Sequence, residues 1–410
     1  MIETQVQKNS VTSLPKLRFK HFEGAWVEKK LGELFIERDE RNEDKEYSLL
    51  SVTLNDGIRS QEFANKRDGS SENKSNYKIV RVNDIAYNTM RMWQGASGVS
   101  ELEGIVSPAY TVVTLKDGSV NFFKHLFKQK RTVFNFYRYS QGMTSDTWNL
   151  KFHQFAEVSV TIPTSKDEQI KVASFLDAVD FWLENLQKEK QLLQKYKKGL
   201  VQDIFSQTVR LRDKAGNNFP EWKEMSLGDI VTFCKGKGIS KDDIISGGNN
   251  KCIRYGELYT TYGEVIRDIR STTNVDASES LLSMKDDLLV PSSGETSMDI
   301  ARVSCIGESG VLLGGDITVM RLKTQDDASF LAYYLTNFKK REIAKLAQGH
   351  SVVHLYSSHL RDLTIKIPAL MEQKAIADCL KTIDLLIQEK ADQISLGKTW
   401  RHGLLQKLFI

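Results

Sequence analysis

Two short polar stretches in the N-terminal half carry the side chains best suited to chemistry. They are residues 88–100 (NTMRMWQGASGVS) and residues 140–147 (SQGMTSDT). Arginine, glutamine and asparagine offer paired donors or acceptors to base edges in the major groove of DNA, whereas serine, threonine and backbone amides beside glycine contact phosphates. The candidate DNA contacts in these stretches are Arg91, Trp93, Gln94, Ser97, Gln141, Thr144 and Ser145.

The C-terminal half repeats this order with different residues. Residues 291–296 (PSSGET) correspond to the first polar stretch, and residues 348–354 (QGHSVVH) correspond to the second. The candidate DNA contacts there are Ser292, Ser293, Glu295, Gln348, His350, Ser351 and His354. Basic residues stand beside the stretches in both halves, namely Lys124, Lys128, Lys130, Arg131, Lys339, Lys340 and Arg341. For any one of these residues a solvated loop is the commoner explanation, but the matched order of the whole set favours binding.

The sequence carries no motif that predicts catalysis. Residues 396–399 (LGKT) resemble the end of a phosphate-binding loop. Such a loop requires a glycine five positions before Gly397, but that position is Asp392, and the segment lies in a predicted helix. His350, His354 and His359 are close in sequence, but three such histidines are more often surface residues than metal ligands. We therefore expect no catalytic residue, no metal and no cofactor in this chain.

Long helices must position the polar stretches. From Glu168 to Phe205 apolar residues recur at alternating steps of four and three, the heptad pattern of a helix with one apolar seam. The pattern returns from Glu372 to Phe409, and every seam position recurs 204 residues later. A single apolar stripe of this length is unstable alone in water, so we expect the two helices to pack on each other. The seam residues expected at this interface or at a partner are Leu176, Val179, Leu183, Leu186, Leu193, Leu200, Leu380, Ile383, Ile387, Ile394 and Leu404.

The repeat also covers the globular parts of the chain. Trp26 and Trp222 are 196 residues apart, and so are Gly32 and Gly228. The predicted fold class is α+β, with two mixed α/β domains separated by two long helices packed as an antiparallel coiled coil, in a pseudo-two-fold internal repeat. We divide the chain into residues 1–165 and 210–368 for the domains and residues 166–209 and 369–410 for the helices.

Composition restricts the class of protein but not its ligand. The formal net charge of +4 over 410 residues is too small to indicate nucleic-acid binding by itself, so that hypothesis rests on the local placement of charge. The four cysteines lie far apart and predict neither a zinc site nor a disulfide framework. No apolar run approaches the length of a membrane span and the N-terminus is not a signal peptide, so we expect a cytoplasmic protein that does not contact membranes.

The repeated motifs resemble the specificity subunit of type I restriction-modification systems. The resemblance covers essentially the whole chain. Its most specific parts each have a second copy 204 or 205 residues later, and they are Ile162-Pro163, Glu168-Gln169, Gly199-Leu200, Gln202 and Phe205. It implies that each globular unit is a target recognition domain that reads one half of a split DNA sequence. It also implies that the helices set the gap and dock two methyltransferase subunits, with motor-nuclease subunits joining for cleavage. S-adenosylmethionine, ATP and Mg²⁺ are then expected on the partner subunits and not on this chain.

Two other classes of protein remain as alternatives. One is a coiled-coil scaffold whose two globular heads bind a ligand, a carbohydrate or another protein. The other is a chain with its own fused nuclease or methyltransferase activity. Steep loss of DNA affinity with rising salt separates a DNA reader from a scaffold.

Overall fold

The computed structural model of the chain describes residues 14–43, 46–54, 57–61, 73–144 and 146–410. The chain divides into two compact units: unit 1 comprises Met1–Gln187 and Asp392–Ile410, and unit 2 comprises Lys188–Ala391. Each unit therefore contains one globular part and a segment of both long helices. Of the helices in the described residues, none is long and apolar enough to cross a membrane.

The globular part of unit 1 is a mixture of short strands and short helices that lead into the first long helix. Its strands are β1 (Val27–Lys30), β2 (Phe35–Glu37), β3 (Leu50–Thr53), β4 (Gly57–Ser60), β5 (Lys78–Val80), β6 (Ile85–Asn88), β7 (Ser97–Val99), β8 (Gly104–Val106), β9 (Tyr110–Leu115) and β10 (Ser159–Ile162). Its helices are α1 (Leu31–Leu34), α2 (Val120–Leu126), α3 (Lys130–Tyr139), α4 (Phe152–Glu157) and the start of α5 (Lys166–Phe205).

The main sheet of unit 1 has four strands in the order β2-β9-β6-β7. Separately, β1 pairs antiparallel with β10, with Val27 opposite Ile162, and this pairing holds the end of β10 where α5 begins. Buried phenylalanines of α2 and α4, including Phe122 and Phe155, share one apolar cluster with Leu176 of α5 and with Phe409. The core of the globular part is therefore continuous with both helix segments of the unit.

Unit 2 follows the same plan with more strands. They are β11 (Lys223–Ser226), β12 (Val231–Lys235), β13 (Asn250–Ile253), β14 (Val265–Ile266), β15 (Ser271–Thr273), β16 (Leu281–Leu282), β17 (Leu288–Pro291), β18 (Ser293–Gly294), β19 (Ser304–Ile306), β20 (Leu312–Leu313), β21 (Ile317–Leu322), β22 (Val353–His354) and β23 (Thr364–Ile367). The helices are α6 (Leu227–Ile230), α7 (Glu257–Thr260), α8 (Ser297–Ile300), α9 (Ala328–Tyr333), α10 (Lys340–Leu346), α11 (Ser357–Arg361) and α12 (Leu370–Leu408).

The sheets of unit 2 correspond to those of unit 1. The five-stranded sheet runs β12-β21-β17-β19-β14, and a second sheet runs β15-β13-β20-β16. β11 pairs antiparallel with β23, with Lys223 opposite Ile367, just as β1 pairs with β10. Phe330 and Tyr334 form the centre of a core that also includes Phe205 at the end of α5 and Leu380 of α12.

The two long helices are present close to their predicted positions. α5 has 40 residues and α12 has 39. α5 ends where Gln207 takes a left-handed conformation, with φ of 62°. Together with the mixed sheets and helices, the two helices confirm the predicted α+β fold class. The division of the chain into four consecutive segments stays a prediction, since the two units are grouped by contacts and each takes part of both helices.

Within each unit the helix segments pack antiparallel. In unit 1, Asp180 pairs with Arg401 (Oδ2 to Nη2, 2.9 Å), and further along α5 Leu183 packs on Gly397. In unit 2, Glu189 pairs with Lys390 at 2.6 Å and Lys197 pairs with Asp384 at 2.7 Å. Residue numbers rise along α5 as they fall along α12, which defines the antiparallel direction.

The same cross-helix ion pair is formed once in each unit. Asp384 lies 204 residues after Asp180, and Arg401 lies 204 residues after Lys197. The pair Asp180–Arg401 therefore repeats as the pair Asp384–Lys197 with the two helices exchanged. Lysine and arginine at seam positions are tolerated because a carboxylate of the other helix lies opposite each of these two.

The repeated Glu-Gln pair anchors each long helix to its globular part. Glu168 is 2% exposed and accepts bonds from Arg18 (Nε, 2.7 Å) and Trp26 (Nε1, 3.1 Å), while Glu372 is 1% exposed and pairs with Arg210. Gln169 accepts from the Ser119 amide at 3.0 Å and donates to the Pro163 carbonyl at 3.1 Å. Gln373 bonds the Asp327 amide and the Pro368 carbonyl in the same way.

Candidate nucleic-acid interface

The fold brings together the two polar stretches of unit 1. The first follows β6 and the second follows α3. The segment just after the second stretch joins it to the first, because the Asn149 amide donates to the Gln141 carbonyl at 2.8 Å and the Leu150 amide to the Thr89 carbonyl at 2.9 Å. Trp93 and Trp148 pack edge to face with ring centroids 5.2 Å apart, and Trp148 packs on Tyr137 at 5.0 Å. Stretches that are about fifty residues apart in sequence thus form one surface.

The candidate residues of unit 1 differ in exposure. Arg91, Gln94, Gln141 and Thr144 are exposed and Trp93 is half-buried, with its Nε1 donating to the Met90 carbonyl. Ser97 is 2% exposed and its Oγ faces the Gly95 carbonyl at 3.4 Å, so its hydroxyl shapes the loop. Ser145 lies outside the described residues. Arg91, Gln94, Gln141 and Thr144 are therefore placed to contact a ligand.

The two polar stretches of unit 2 are joined by strand pairing. β18 pairs antiparallel with β22, which sets Ser293 opposite His354. The Leu355 amide donates to the Ser292 carbonyl at 2.9 Å, and Gln348 exchanges two backbone bonds with His354 at 2.9 and 2.7 Å. The stretches that the sequence matched in order are thus also matched in space, since in each unit the two lie side by side.

Most of the candidate residues of unit 2 are exposed. The exposed residues are Glu295, Gln348, His350, Ser351 and His354. Ser292 is half-buried and shares a bond of 2.7 Å with the Thr318 hydroxyl. Ser293 is 5% exposed and donates to Asp316 at 3.1 Å, so it supports the loop from below, as Ser97 does in unit 1.

The basic residues beside the stretches fall into two groups. Lys124 pairs with Asp177 at 2.5 Å, and Lys339 pairs with Glu342 at 2.8 Å. By contrast, Lys130, Arg131 and Arg341 are exposed and form no ion pair within the described residues. These three cations remain free to attract a polyanion.

Lys128 has a structural role that its sequence position does not indicate. Its Nζ donates to the carbonyls of Leu54 at 2.9 Å and Gly95 at 2.6 Å, which ties the first polar stretch to the β3–β4 hairpin. Burial, with a smaller effect from Arg401, lowers the pKa of Lys128 to about 8. A lysine held in this way supports the loop.

Two of the three histidines of unit 2, His354 and His359, flank a tyrosine that the sequence analysis missed. His354 stacks on Tyr356 with centroids 6.3 Å apart, and His359 packs on the same ring at 5.6 Å while its Nδ1 bonds the Leu346 carbonyl. Tyr356 is 51% exposed. Within the described residues no group of three His, Cys, Asp or Glu side chains is placed to hold a metal. Tyr356 lies two residues after His354, the last residue of the second stretch. This strand-like alternation is the sequence signal that could have identified Tyr356 as part of the site.

A second surface lies on the outer side of the helix segments. In unit 1, Trp182, Leu396 and Trp400 are 43%, 65% and 50% exposed, and the two tryptophan rings lie 6.4 Å apart. The equivalent positions of unit 2, by the 204-residue offset, are Leu386, Leu192 and Tyr196, which are 42%, 65% and 60% exposed. We call these trios the outer patches of unit 1 and unit 2. An apolar trio is thus exposed to the same degree in each unit.

Known proteins resemble this chain in sequence and in fold. Residues 220–396 match the family model described as "Type I restriction modification DNA specificity domain". The chain is 24% identical over 359 residues to the "Type I restriction enzyme MjaVIII specificity subunit" of Methanocaldococcus jannaschii, covering 80% of this chain and 79% of that protein.

Two solved structures share the fold. One is the "Type-I restriction-modification system S subunit from M. genitalium", with a TM-score of 0.61, 15% identity and coverage of 97% of this chain and 99% of that chain. The other comes from work described as the structural basis of "complex assembly" and "conformational transition of the type I R-M system", with a TM-score of 0.56, 15% identity and coverage of 94% and 97%.

Proposed function

We propose that this chain, which resembles type I restriction-modification specificity subunits in sequence and in fold, is a non-catalytic subunit that reads a bipartite DNA target. Unit 1 reads one half-site through its paired loops, with Arg91, Gln94, Gln141 and Thr144 as contacts. Unit 2 reads the other through Glu295, Gln348, His350, Ser351 and His354. The observation that carries the proposal is that two equivalent scaffolds each bring two polar loops together, with unlike residues at the tips. Unlike tips imply unlike half-sites.

We propose that α5 and α12 act as a spacer between the half-sites. Each unit contains a segment of both helices. In this proposal the length of the helices between the two globular parts would determine the separation of the half-sites. An α-helix is suited to this role because its rise of about 1.5 Å per residue is fixed by its hydrogen bonds.

We further propose that the outer patches dock two copies of a methyltransferase subunit, one on each unit. Apolar side chains exposed on an otherwise polar helix face mark contacts with a partner. Two trios that occupy equivalent positions and have similar exposure suit two copies of the same partner surface. Motor-nuclease subunits would join this assembly for cleavage.

The proposed partners supply the chemistry. The methyltransferase subunits would bind S-adenosylmethionine and accept an adenine flipped out of the duplex, and the motor-nuclease subunits would use ATP and Mg²⁺. This chain would supply recognition alone. Since it acts on the DNA of the cell, we propose that it works in the cytoplasm.

DNA binding is tested with the chain assembled with its methyltransferase subunits. Selection from a pool of random duplexes should enrich two short unlike sequences at a fixed separation, and log affinity should fall linearly with log salt. Enrichment of one uninterrupted sequence, or affinity that does not respond to salt, would contradict the proposal and favour a scaffold.

The docking surfaces are tested by placing a charge in each outer patch. Trp400→Glu should leave one methyltransferase subunit in the complex, and so should Tyr196→Glu, because each replaces the centre of one patch. The double variant should lose both, as measured by native mass spectrometry. Leu385→Glu serves as a control, since Leu385 is 53% exposed but lies outside both trios. Full occupancy in the double variant would exclude these patches as the docking sites.

A further inference from the structure

One loop of unit 2 carries unpaired positive charge beside the candidate reading loops. Residues 235–239 (KGKGI) leave β12, and Lys235 and Lys237 are both exposed. Neither ammonium group forms an ion pair within the described residues, although nearby lysines such as Lys251 do. In a chain whose formal net charge is only +4, free cations at one place are informative.

This loop is held in one conformation by its neighbour. The Gly236 amide donates to the Ile317 carbonyl at 2.8 Å, the Lys237 amide to the Leu313 carbonyl at 3.0 Å, and the Gly315 amide to the Gly238 carbonyl at 2.7 Å. A side chain at Gly236 would collide with the Gly314 carbonyl. The loop that carries the two lysines is therefore tied to a second glycine loop at three points.

The same loop contains a strained residue. Gly238 and Ile239 follow each other in the left-handed region, with φ of 69° and 55°. A β-branched residue rarely adopts this conformation, and such strain persists only where the surroundings impose it, often at functional sites. Here the surroundings are an apolar cluster in which Ile239 is 8% exposed. Lys237 and Gly238, which precede Ile239, are exposed.

The loop shares a cavity with the reading loops of unit 2. The side chains around that cavity include Lys235, Ser292, Asp316, His354 and Tyr356. The Asp316 carboxylate accepts from Ser293 at 3.1 Å and not from Lys235, so it leaves the ammonium group available. Lys235 thus lines the same cavity as His354, which we assign to DNA reading.

The corresponding loop of unit 1 carries no such charge. Counted from the repeated Leu-Gly pair, Asp39 and Arg41 are the equivalents of Lys235 and Lys237. Arg41 pairs with Asp39 at 2.8 Å, and Lys78 pairs with Asp39 at 3.0 Å. The cations of that loop are neutralised where they stand, so the feature belongs to unit 2 alone.

We propose that Lys235 and Lys237 bind phosphodiester groups of the target duplex at the half-site read by unit 2. The inference rests on the proposed function, because the reading loops beside the cavity determine where the duplex lies. A lysine ammonium is a compact charge that suits phosphate oxygens, and phosphate contacts fix the position of the protein on the duplex. The two lysines set the register and strength of binding and carry no sequence information.

The test measures the salt dependence of DNA binding. Wild-type and Lys235→Ala/Lys237→Ala chains are assembled with the methyltransferase subunits and titrated with a duplex carrying the wild-type motif and with a scrambled duplex. Log affinity falls as log salt rises, and each lost phosphate contact makes this slope shallower by about 0.9, or about 1.8 for the double variant. This corresponds to roughly 60-fold weaker binding at 0.1 M salt if the two lines meet at 1 M.

The control is Lys251→Ala, because Lys251 is an exposed lysine of the same unit whose ammonium is already paired with Glu308 at 2.7 Å. Its slope should equal that of the wild type, and Lys235→Arg/Lys237→Arg should retain the slope. The inference is overturned if the double alanine variant keeps the wild-type slope, or if its methylated motif changes at one half-site. A wild-type complex that shows no preference for the motif would instead refute the proposed function.

Discussion

The proposed spacer can be lengthened without disturbing either unit. One cross-helix contact of unit 1 joins Leu183 to Gly397, and one of unit 2 joins Glu189 to Lys390. Insertions after Gln187 in α5 and after Ala391 in α12 fall between these contacts. Whole heptads inserted at both places keep the apolar seam on the same face.

The expected shift follows from the geometry of the two helices. Three heptads add 21 residues, or about 31 Å at a rise of ~1.5 Å. At about 3.4 Å per base pair this is ~9 base pairs, close to one turn of DNA. The inserted variant should modify the original half-sites with a gap about 9 base pairs longer. A single heptad adds about 10 Å, or ~3 base pairs, and puts the second reader about a third of a DNA turn out of phase, so modification should be strongly reduced.

The assay is the methylated motif in cells that carry each variant with its methyltransferase subunit. Three heptads inserted into α5 alone serve as the control, because they break the register with α12 and should abolish modification. A variant lengthened in both helices that modifies the original motif with its original gap would refute the spacer.

Three further predictions concern single residues. Arg91→Ala should relax only the first half-site, and Gln348→Ala only the second, at about 1–3 kcal/mol per lost base contact; loss of both halves from either change, seen in the methylated motif, would contradict separate reading. Ser293→Ala should lower the stability of unit 2 by about 1 kcal/mol in urea unfolding, through the lost bond to Asp316, and leave the motif unchanged. Burial lowers the pKa of His125 below its ordinary 6.5 despite the bond to Asp177. The unfolded chain therefore takes up the proton first as pH falls, and the stability of unit 1 should decrease below about pH 6.5. The variant His125→Tyr carries the residue found at the equivalent position of unit 2, and hydrogen exchange of α2 should show that this acid sensitivity is gone. Equal loss of protection in the wild type and the variant at low pH would count against this role of His125.

The long helices could be predicted because their pattern is local. Steps of four and three identify the seam, and the structure has a continuous helix over Lys166–Phe205 and another over Leu370–Leu408. The repeated Glu168 could be recognised but not explained from sequence. Its partners Arg18 and Trp26 are about 150 residues away, and only the folded chain brings them to it.

The loops were predicted as a set but not residue by residue. Polar composition and matched order located them, and each pair does lie side by side. Composition does not indicate which hydroxyl is buried, so Ser97 and Ser293 were grouped with exposed neighbours. Lys128 was grouped with the free cations for the same reason, since its two acceptors belong to Leu54 and Gly95.

Residues outside the matched stretches were missed because their neighbours come from distant segments. Lys235 ends β12 and Tyr356 follows β22, and the cavity that relates them also takes Ser292, between β17 and β18, and Thr318 of β21. No spacing rule connects four segments that are separated by loops of varied length. The contacts of the folded sheet are needed to bring these side chains into one site.

The most direct measurement is the methylated motif in a genome that carries this chain with its methyltransferase subunit. Two unlike half-sites, an adenine modified in each and one constant gap would agree with two readers on a helical spacer. An uninterrupted motif, or modification that persists unchanged after the chain is deleted, would contradict the account.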